Sequence, residues 1–465
     1  MAEAGSSAKR GPEVRANGLP AGPESDTLQA CVRDDSGYPS RRFQTRLLPA
    51  LGTLVERSAS VSTASKALRT GHAVAFPTET VYGLGASALS SSAVLKIFAA
   101  KGRPADNPLI VHISDLPMLS SIVDPDWRPS EAYQALFKLW PAPMTLLCPA
   151  KKDLPREVTA GHSTVGVRIP QHELARELIR AAGVPLAAPS ANASGRPSPT
   201  LAAHVISSRG RVPFILDGGP CTLGLESTVI DGITSTSELR ILRPGGLSAE
   251  SIQQCLGSAD LSDKLEVKIY GQQSTGAKAM EFEEQMLLNP TTPGMKYRHY
   301  SPDARVVLIR ATKSAGTRNP ASTSSHLGAL LEAQLERSGA AQGGDEAQVD
   351  IGVMSLDSSL LSTSIDALCV ASRSTLTDSS SVPEAQRSHL RRPIALRTKV
   401  FIHRFSLGSI RDPHEAASRL FQGLRVLDET GCDVILVESV TEQGIGLAIM
   451  NRLNKAAGEV VEIDL

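Results

Sequence analysis

Two cations two positions apart, Lys101 and Arg103, follow an apolar stretch and lead into Pro104 and Asn107-Pro108. An ammonium and a guanidinium this close together suit a polyanion better than an apolar ligand. The prolines hold the chain extended just beyond them, so both side chains are positioned rather than loose. Upstream, Phe76-Pro77-Thr78-Glu79-Thr80-Val81-Tyr82-Gly83-Leu84-Gly85 reads as a strand running into a loop of hydroxylated residues and glycines. Such a loop can turn backbone N–H groups toward phosphate oxygens. Downstream, Ser190-Ala191-Asn192-Ala193-Ser194-Gly195 and Arg243-Pro244-Gly245 add hydroxyl, amide and guanidinium donors. The chemistry common to all of these is phosphate binding, which points to a nucleotide-using enzyme.

Each piece also has a plainer reading. Gly83-Leu84-Gly85-Ala86-Ser87-Ala88 fits the dinucleotide fingerprint, but that fold needs a ribose-binding carboxylate about 20 residues on. Lys101 and Arg103 stand there instead, which disfavours a nicotinamide cofactor. A basic helix end complements the helix dipole without any ligand. The Ser190–Gly195 segment would serve equally as a capped turn. His112, at the end of an apolar run, fits a structural histidine as well as a catalytic one. No HxxxH or HExxH spacing offers a metal site, and no GxSxG or Walker A motif supplies a nucleophile or a phosphate loop.

The elements that must position these residues follow from the pattern. Between about residues 54 and 254 short apolar runs alternate with helical periodicity, predicting strands near 73–76, 109–113, 145–148, 165–169, 185–188, 214–216, 228–230 and 239–242. Helices are predicted near 63–69, 91–101, 131–139, 172–182 and 201–207. A second α/β unit is expected over 304–465, with strands near 305–309, 351–354, 400–405 and 434–437 and helices near 327–336, 415–427 and 447–457. Between the two units, 257–303 reads as a linker, helical in part over 272–289 and ending in a polar segment rich in aromatic and basic side chains. The first 50 residues read as a disordered tail, and the Ser/Thr-rich stretch at about 355–392 as an inserted mobile loop.

Composition bounds the rest. The 465 residues exceed one typical domain. With 41% hydrophobic and only 4% aromatic residues, the cores must rest on aliphatic side chains. Lys+Arg and Asp+Glu balance at 48 each, so any affinity for anions is local rather than a property of the whole surface. The six cysteines show no CxxC spacing, which favours a reducing compartment. No apolar run reaches membrane-spanning length and no signal-peptide core is present, so a cytoplasmic protein is expected, with a mitochondrial or nuclear pool left open.

Taken in order, Pro77-Thr-Glu-Thr80-Val-Tyr82-Gly-Leu-Gly, Lys101-x-Arg103-Pro-x-x-Asn107-Pro-Leu-Ile-x-His112, Val165-Gly-Val-Arg168-Ile-Pro, Ser190-Ala-Asn192 and Ser227-Thr228-Val-Ile-Asp resemble the YrdC/YciO family. Pro293-Gly294-Met295-Lys-Tyr297-Arg-His299-Tyr300-Ser-Pro and the terminal Gly446-Leu-Ala-Ile-Met-Asn-Arg are similar to the long, two-domain threonylcarbamoyl-AMP synthases. The resemblance implies a YrdC-like open twisted α/β sheet with a cationic concavity (54–256), followed by a smaller Rossmann-like domain. It implies synthesis of threonylcarbamoyl-AMP and pyrophosphate from L-threonine, bicarbonate and ATP, for threonylcarbamoyladenosine modification of tRNA.

By the same match, Lys101 and Arg103 would be catalytic and act on the phosphates. Asn107, Thr164, Ser190, Asn192, Ser198 and Arg243 would surround ATP, and Tyr297 and His299 would close over it from the linker. Thr80, His112, Arg168, Ala188 and Ser227 would hold threonine, with Arg168 on its carboxylate. Mg²⁺ would arrive with ATP, without a protein-built metal site. A tRNA threonylcarbamoyl transferase complex would take the product. The competing reading is a nucleic-acid-binding module whose basic concavity holds RNA, with a weak tRNA contact as its milder form; the scarcity of aromatics argues against it.

Overall fold

The computed structural model of the chain describes residues 32–33, 39–40, 45–104, 106–207, 212–270, 291–293, 299–312, 329–334, 337, 348–371, 376–377, 385–390 and 399–464. They fall into two compact units, residues 1–42 and 43–465. In the first, the described part is an antiparallel ribbon of Val32–Arg33 with Pro39–Ser40. The second contains two lobes, each built on its own sheet.

The first lobe carries an 11-stranded mixed sheet. From one edge its strands are Glu266–Ile269, Glu238–Arg243, Thr228–Asp231, Met144–Pro149, Thr164–Arg168, Ile110–His112, Leu186–Ala187, Gly83–Ser87, Val74–Phe76, Phe214–Asp217 and Arg46–Pro49. Side chains alternate between its faces, as a pleat requires. Val111 and Val167 enter the larger core, beneath the helices Ser91–Lys101, Glu131–Phe137 and Ala249–Gly257. Val74, Phe76 and Leu186 pack on the other face, under Leu54–Arg69 and Glu173–Ala182. Ile110, His112 and Arg168, also pointing away from the larger core, line a cavity instead.

The second lobe carries a 7-stranded sheet. Five strands run parallel in the order Lys399–Ser409, Gln348–Asp357, Val434–Glu438, Arg305–Thr312, Glu459–Asp464. Along Arg305–Thr312, Val306 and Leu308 face the helices Pro413–Glu429 and Ile445–Ala456, while Val307 and Ile309 face the opposite core, where Leu361 and Ile365 sit. Burial on both faces explains the near-continuous aliphatic strands and the Rossmann-like reading. The lobes share a core: Val81 and Leu225 of the first pack with Tyr300, Leu420 and Phe421.

Several boundaries differ from the sequence reading. Arg46–Pro49 is a sheet strand, parallel to Phe214–Asp217, so the expected tail to residue 50 runs too far. Its partner lies far along the chain, where no local pattern reveals it. The glycine end of the loop expected within 76–85 begins the strand Gly83–Ser87, antiparallel to Val74–Phe76. Gly85 is needed there for space: a Cβ would stand 2.6 Å from Phe76 Cε1. Within the expected linker, Glu266–Ile269 extends the first sheet, while the partly helical stretch at 272–289 lies outside the described residues. The expected loop at 355–392 contains the helix Leu360–Ala371, capped where Ser359 Oγ accepts from Ser362 N at 3.1 Å. Its Ser/Thr content hid the Leu361/Ile365 spacing. The closing strand Glu459–Asp464 was not expected.

Candidate active site

Helix Ser91–Lys101 begins where Ser90 caps Ala93 N and stops at Gly102, whose left-handed backbone (φ 61°) turns Arg103 inward. Both cations are buried despite lying at a helix end. Lys101 Nζ donates to the carbonyls of Ser190 and, at 2.5 Å, of Asn192, so the Ser190–Asn192 loop wraps the ammonium. Burial, with Arg103 and Arg425 nearby, pushes the Lys101 ammonium well below its usual range. Arg103 donates to the carbonyls of Asn107 (3.2 Å) and Pro108 (2.9 Å). Asn107-Pro108 thus holds the guanidinium by its backbone, and burial lowers that group to about 10, still charged at neutral pH.

Three strands end on candidate site residues: His112, Arg168 and Arg243 are the last residues of theirs. His112 and Arg168 are cross-strand partners in a parallel pair. Burial, and then the charge of Arg168, push the His112 imidazolium down to about 3, so the ring is neutral under ordinary conditions. Arg168 forms a buried ion pair with Glu79 and donates to Thr80 Oγ1 at 2.8 Å. Arg243 donates to the Ser227 carbonyl (2.8 Å) and to the Pro293 carbonyl (3.0 Å), tying the segment between the lobes to the sheet. Ser227 Oγ lies 2.8 Å from Thr145 Oγ1.

These groups enclose a cavity of about 560 Å³, open mouth included. Of the residues expected from sequence, Thr80, Arg103, His112, Arg168, Ala188, Ser190, Ser227, Arg243 and His299 line it. Lys101, Asn192 and Ser198 are buried but do not line that wall. Asn192 Nδ2 staples its own loop through the carbonyls of Ala193 and Arg196, both at 2.8 Å. Ser198 donates to Glu226 Oε1 at 2.6 Å. Asn107 is half-buried and not on the wall; Thr164 begins the strand that Arg168 ends, about 13 Å away at the usual rise. Tyr297 lies outside the described residues. Several buried polar atoms around the cavity have no partner among the described residues: Asn107 Oδ1, His112 Nδ1, Arg168 Nε and Asn192 Oδ1. Orphaned atoms are rare in native interiors, and a ligand in the cavity could satisfy the two on its wall, His112 Nδ1 and Arg168 Nε.

Sequence reasoning gave no role in the site to three groups, although Tyr300 and Arg452 stand in motifs quoted above. Glu226 is the one acidic side chain on the cavity wall among the described residues. Tyr300 (φ 66°) roofs the cavity against Phe421, ring centroids 5.2 Å apart. Arg452 reaches in from the second lobe: Nε donates to Glu226 Oε2 at 3.0 Å, and Nη1 to the Pro244 carbonyl. The signal for Arg452 was present, since it falls on the apolar stripe Ile445, Ala448, Ile449, Leu453, Ala456 of its helix. Burial alone would raise the Glu226 carboxyl. The charges of Arg452 and Arg243 and the Ser198 hydroxyl outweigh burial and hold it below its usual value.

Among the described residues no group of three or more His, Cys, Asp or Glu could hold a metal ion. No helix among them is long and apolar enough to cross a membrane. The arrangement is a cationic, largely buried pocket with hydroxyls and a neutral imidazole, and among the described residues it shows no activated nucleophile. Chemically it can gather and orient anions.

A family model described as "Telomere recombination" matches residues 66–245, and one described as "Threonylcarbamoyl-AMP synthase, C-terminal domain" matches residues 247–458. The threonylcarbamoyl-AMP synthase of Pyrococcus abyssi is 39% identical over 392 residues, spanning 84% of this chain and 92% of that protein. The synthase of Schizosaccharomyces pombe is 39% identical over 453 residues, spanning 92% and 94%. The crystal structure of P. abyssi Sua5 complexed with L-threonine superposes with a TM-score of 0.64 at 36% identity, covering 90% of this chain and all of that one. With both lobes matched in order and over nearly their whole length, the chain belongs to the threonylcarbamoyl-AMP synthase family in its two-domain form.

Proposed function

We propose that the cavity between Arg103, Arg168 and Arg243 is where this enzyme joins L-threonine, bicarbonate and ATP into threonylcarbamoyl-AMP, releasing pyrophosphate. The observation that carries this is the convergence of three buried guanidiniums and a neutral imidazole on one wall. The threonine amine adds to bicarbonate, with loss of water, to give a carbamate. A carbamate oxygen then attacks the α-phosphorus, and pyrophosphate leaves. The nucleophile belongs to the substrate, so the protein's task is positioning and charge stabilisation.

In this reading Arg168 holds the threonine carboxylate, with Thr80, His112, Ser227 and the Ala188 backbone around the amino acid. Neutral His112 can accept or donate a hydrogen bond without repelling the ammonium. Arg103 and Arg243 face the phosphates with Lys101 just off the wall, and an arriving polyanion would favour the charged form of Lys101 that burial disfavours. Ser190, Asn192 and Ser198 shape the phosphate loop. Asn107 and Thr164, off the wall, suit the nucleoside end of an extended nucleotide. Tyr297 and His299 close the site from the linker and exclude water that would hydrolyse the adenylate. Mg²⁺ enters as part of the ATP complex. Glu226, its oxygens engaged by Ser198 and Arg452, is no carboxylate cage, so the phosphates and water would supply the metal's ligands. The product passes to a tRNA threonylcarbamoyl transferase complex in the cytoplasm, and direct tRNA contact is at most weak.

The test is pyrophosphate release by the purified protein, with and without L-threonine and bicarbonate. Release that needs both, with the threonylcarbamoyl adenylate seen by mass spectrometry, is the expected outcome. ATP turnover indifferent to threonine would sink the assignment.

A further inference from the structure

We propose that Arg452, on the second lobe, is a positioning residue for ATP: it neutralises Glu226 so that the cavity wall presents net positive charge to the phosphates. The inference rests on the reading that this cavity takes ATP, and gives the second lobe an electrostatic role in it.

Glu226 is the one acidic residue on the wall among the described residues, and it shares that wall with Arg103 and Arg243. A buried carboxylate there repels phosphate and competes for the same guanidiniums unless it is compensated. One of its oxygens takes the Ser198 hydroxyl at 2.6 Å, which satisfies a hydrogen bond but not the charge. The other takes Arg452 Nε at 3.0 Å. Arg452 is 1% exposed, so this pair is little screened by solvent.

The same guanidinium does two more things. Its Nη1 holds the carbonyl of Pro244, the residue after Arg243, and so fixes the turn that carries that cation. It also stands 5.9 Å from the centroid of the Tyr300 ring, which roofs the cavity. One side chain of the second lobe therefore touches the acid, the turn and the roof of a pocket built by the first. Lys101, Arg243, His299 and Lys455 all feel the charge of Glu226, so its neutralisation is sensed across the site.

The experiment uses the full-length enzyme and pyrophosphate release, with KM for ATP, KM for L-threonine and kcat measured separately for wild type, R452M, E226Q and E226Q/R452M. R452M should raise KM for ATP about tenfold or more, as stranding one partner of a buried charge pair does, with a smaller change in KM for threonine. Removing the stranded charge in E226Q/R452M should bring KM for ATP back to within about threefold of wild type, a rescue that a purely structural role of Arg452 does not predict. A KM for ATP in R452M within about twofold of wild type, or a double variant no better than R452M, overturns the inference. If R452M does not fold, E226Q decides: a lower KM for ATP supports the inference, and an unchanged or higher one overturns it. A wild-type enzyme that releases no pyrophosphate would overturn the ATP reading itself, an outcome distinct from an active wild type with unresponsive variants.

Discussion

In the first lobe, strands end on His112, Arg168 and Arg243; in the second, they end on Asp357, Ser409 and Glu438. Both lobes are open α/β sheets, yet their strand ends are treated differently. At those second-lobe strand ends the acids find partners close by: Glu438 Oε2 accepts from Leu356 N at 2.9 Å, and Asp357 Oδ1 from the Ser406 hydroxyl at 2.6 Å. In the first, His112 Nδ1, Arg168 Nε and Asn192 Oδ1 are buried without partners among the described residues. The contrast separates scaffold from site. A sheet end whose polar atoms satisfy one another needs no ligand, whereas one that gathers buried guanidiniums and leaves polar atoms without partners has room to accept an anion.

The most severe way to break this contrast is to remove a first-lobe cation. Arg103→Ala should lower turnover about 10²-fold or more while leaving a folded protein, since in the proposed reading it deletes a charge facing the reacting phosphates. Near-normal pyrophosphate release from this variant would mean that the cavity is not the reaction site.

A smaller effect tests the seam between the lobes. Gly224 has φ +76°, and a Cβ there would lie 2.5 Å from Ser418 Cα, a backbone atom of the second lobe. Gly224→Ala should cost about 2–3 kcal/mol of stability and also reduce turnover, because the lobes must part to admit the methyl. Leu361→Ala, in the far core of the second lobe, should cost a similar 2–4 kcal/mol, or thereabouts, with kcat of the folded enzyme unchanged. Denaturant unfolding and steady-state kinetics on both variants decide this. Equal kinetic losses in the two would erase the distinction between seam and scaffold.

The mildest test uses pH. His112 has its folded pKa depressed to about 3, well under the ordinary unfolded value. The folded state therefore resists protonation, and the stability this group confers is complete above about pH 6.5 and is lost as pH falls toward 3. His204 and His299, both lowered to about 4 mainly by burial, act in the same direction. Chemical denaturation from pH 7 to 5 should show stability falling, with His112 contributing on the order of 1 kcal/mol per pH unit below 6.5. His112→Gln should flatten that slope. A slope that survives the substitution unchanged would assign the acid sensitivity elsewhere.

Much of the site was legible because its residues are short-range patterns. Lys101-x-Arg103-Pro104 combines a helix stop with two cations, and Ser190-Ala191-Asn192 is a polar loop after a buried strand. Thr80, His112, Arg168, Ser227 and Arg243 were named from motifs and do share one wall. What escaped was of two kinds. Gly83–Ser87 looked like a loop because glycines weaken a strand signal, although their smallness is what lets Phe76 pack against them. Glu226 and Arg452 escaped because each is unremarkable alone; they are partners 226 positions apart.

By itself the amino-acid sequence determined the α/β class, most of the strands and helices, and the family, since propensity, turn chemistry and motif spacing are local properties of the chain. Only the tertiary structure decided that Lys101 is wrapped by its loop rather than set on the cavity wall, that Arg168 already bears Glu79, and that the second lobe sends a guanidinium into the first. Those are outcomes of burial and long-range contact, in which the cost of removing a charge from water is set by neighbours that the sequence does not place beside it.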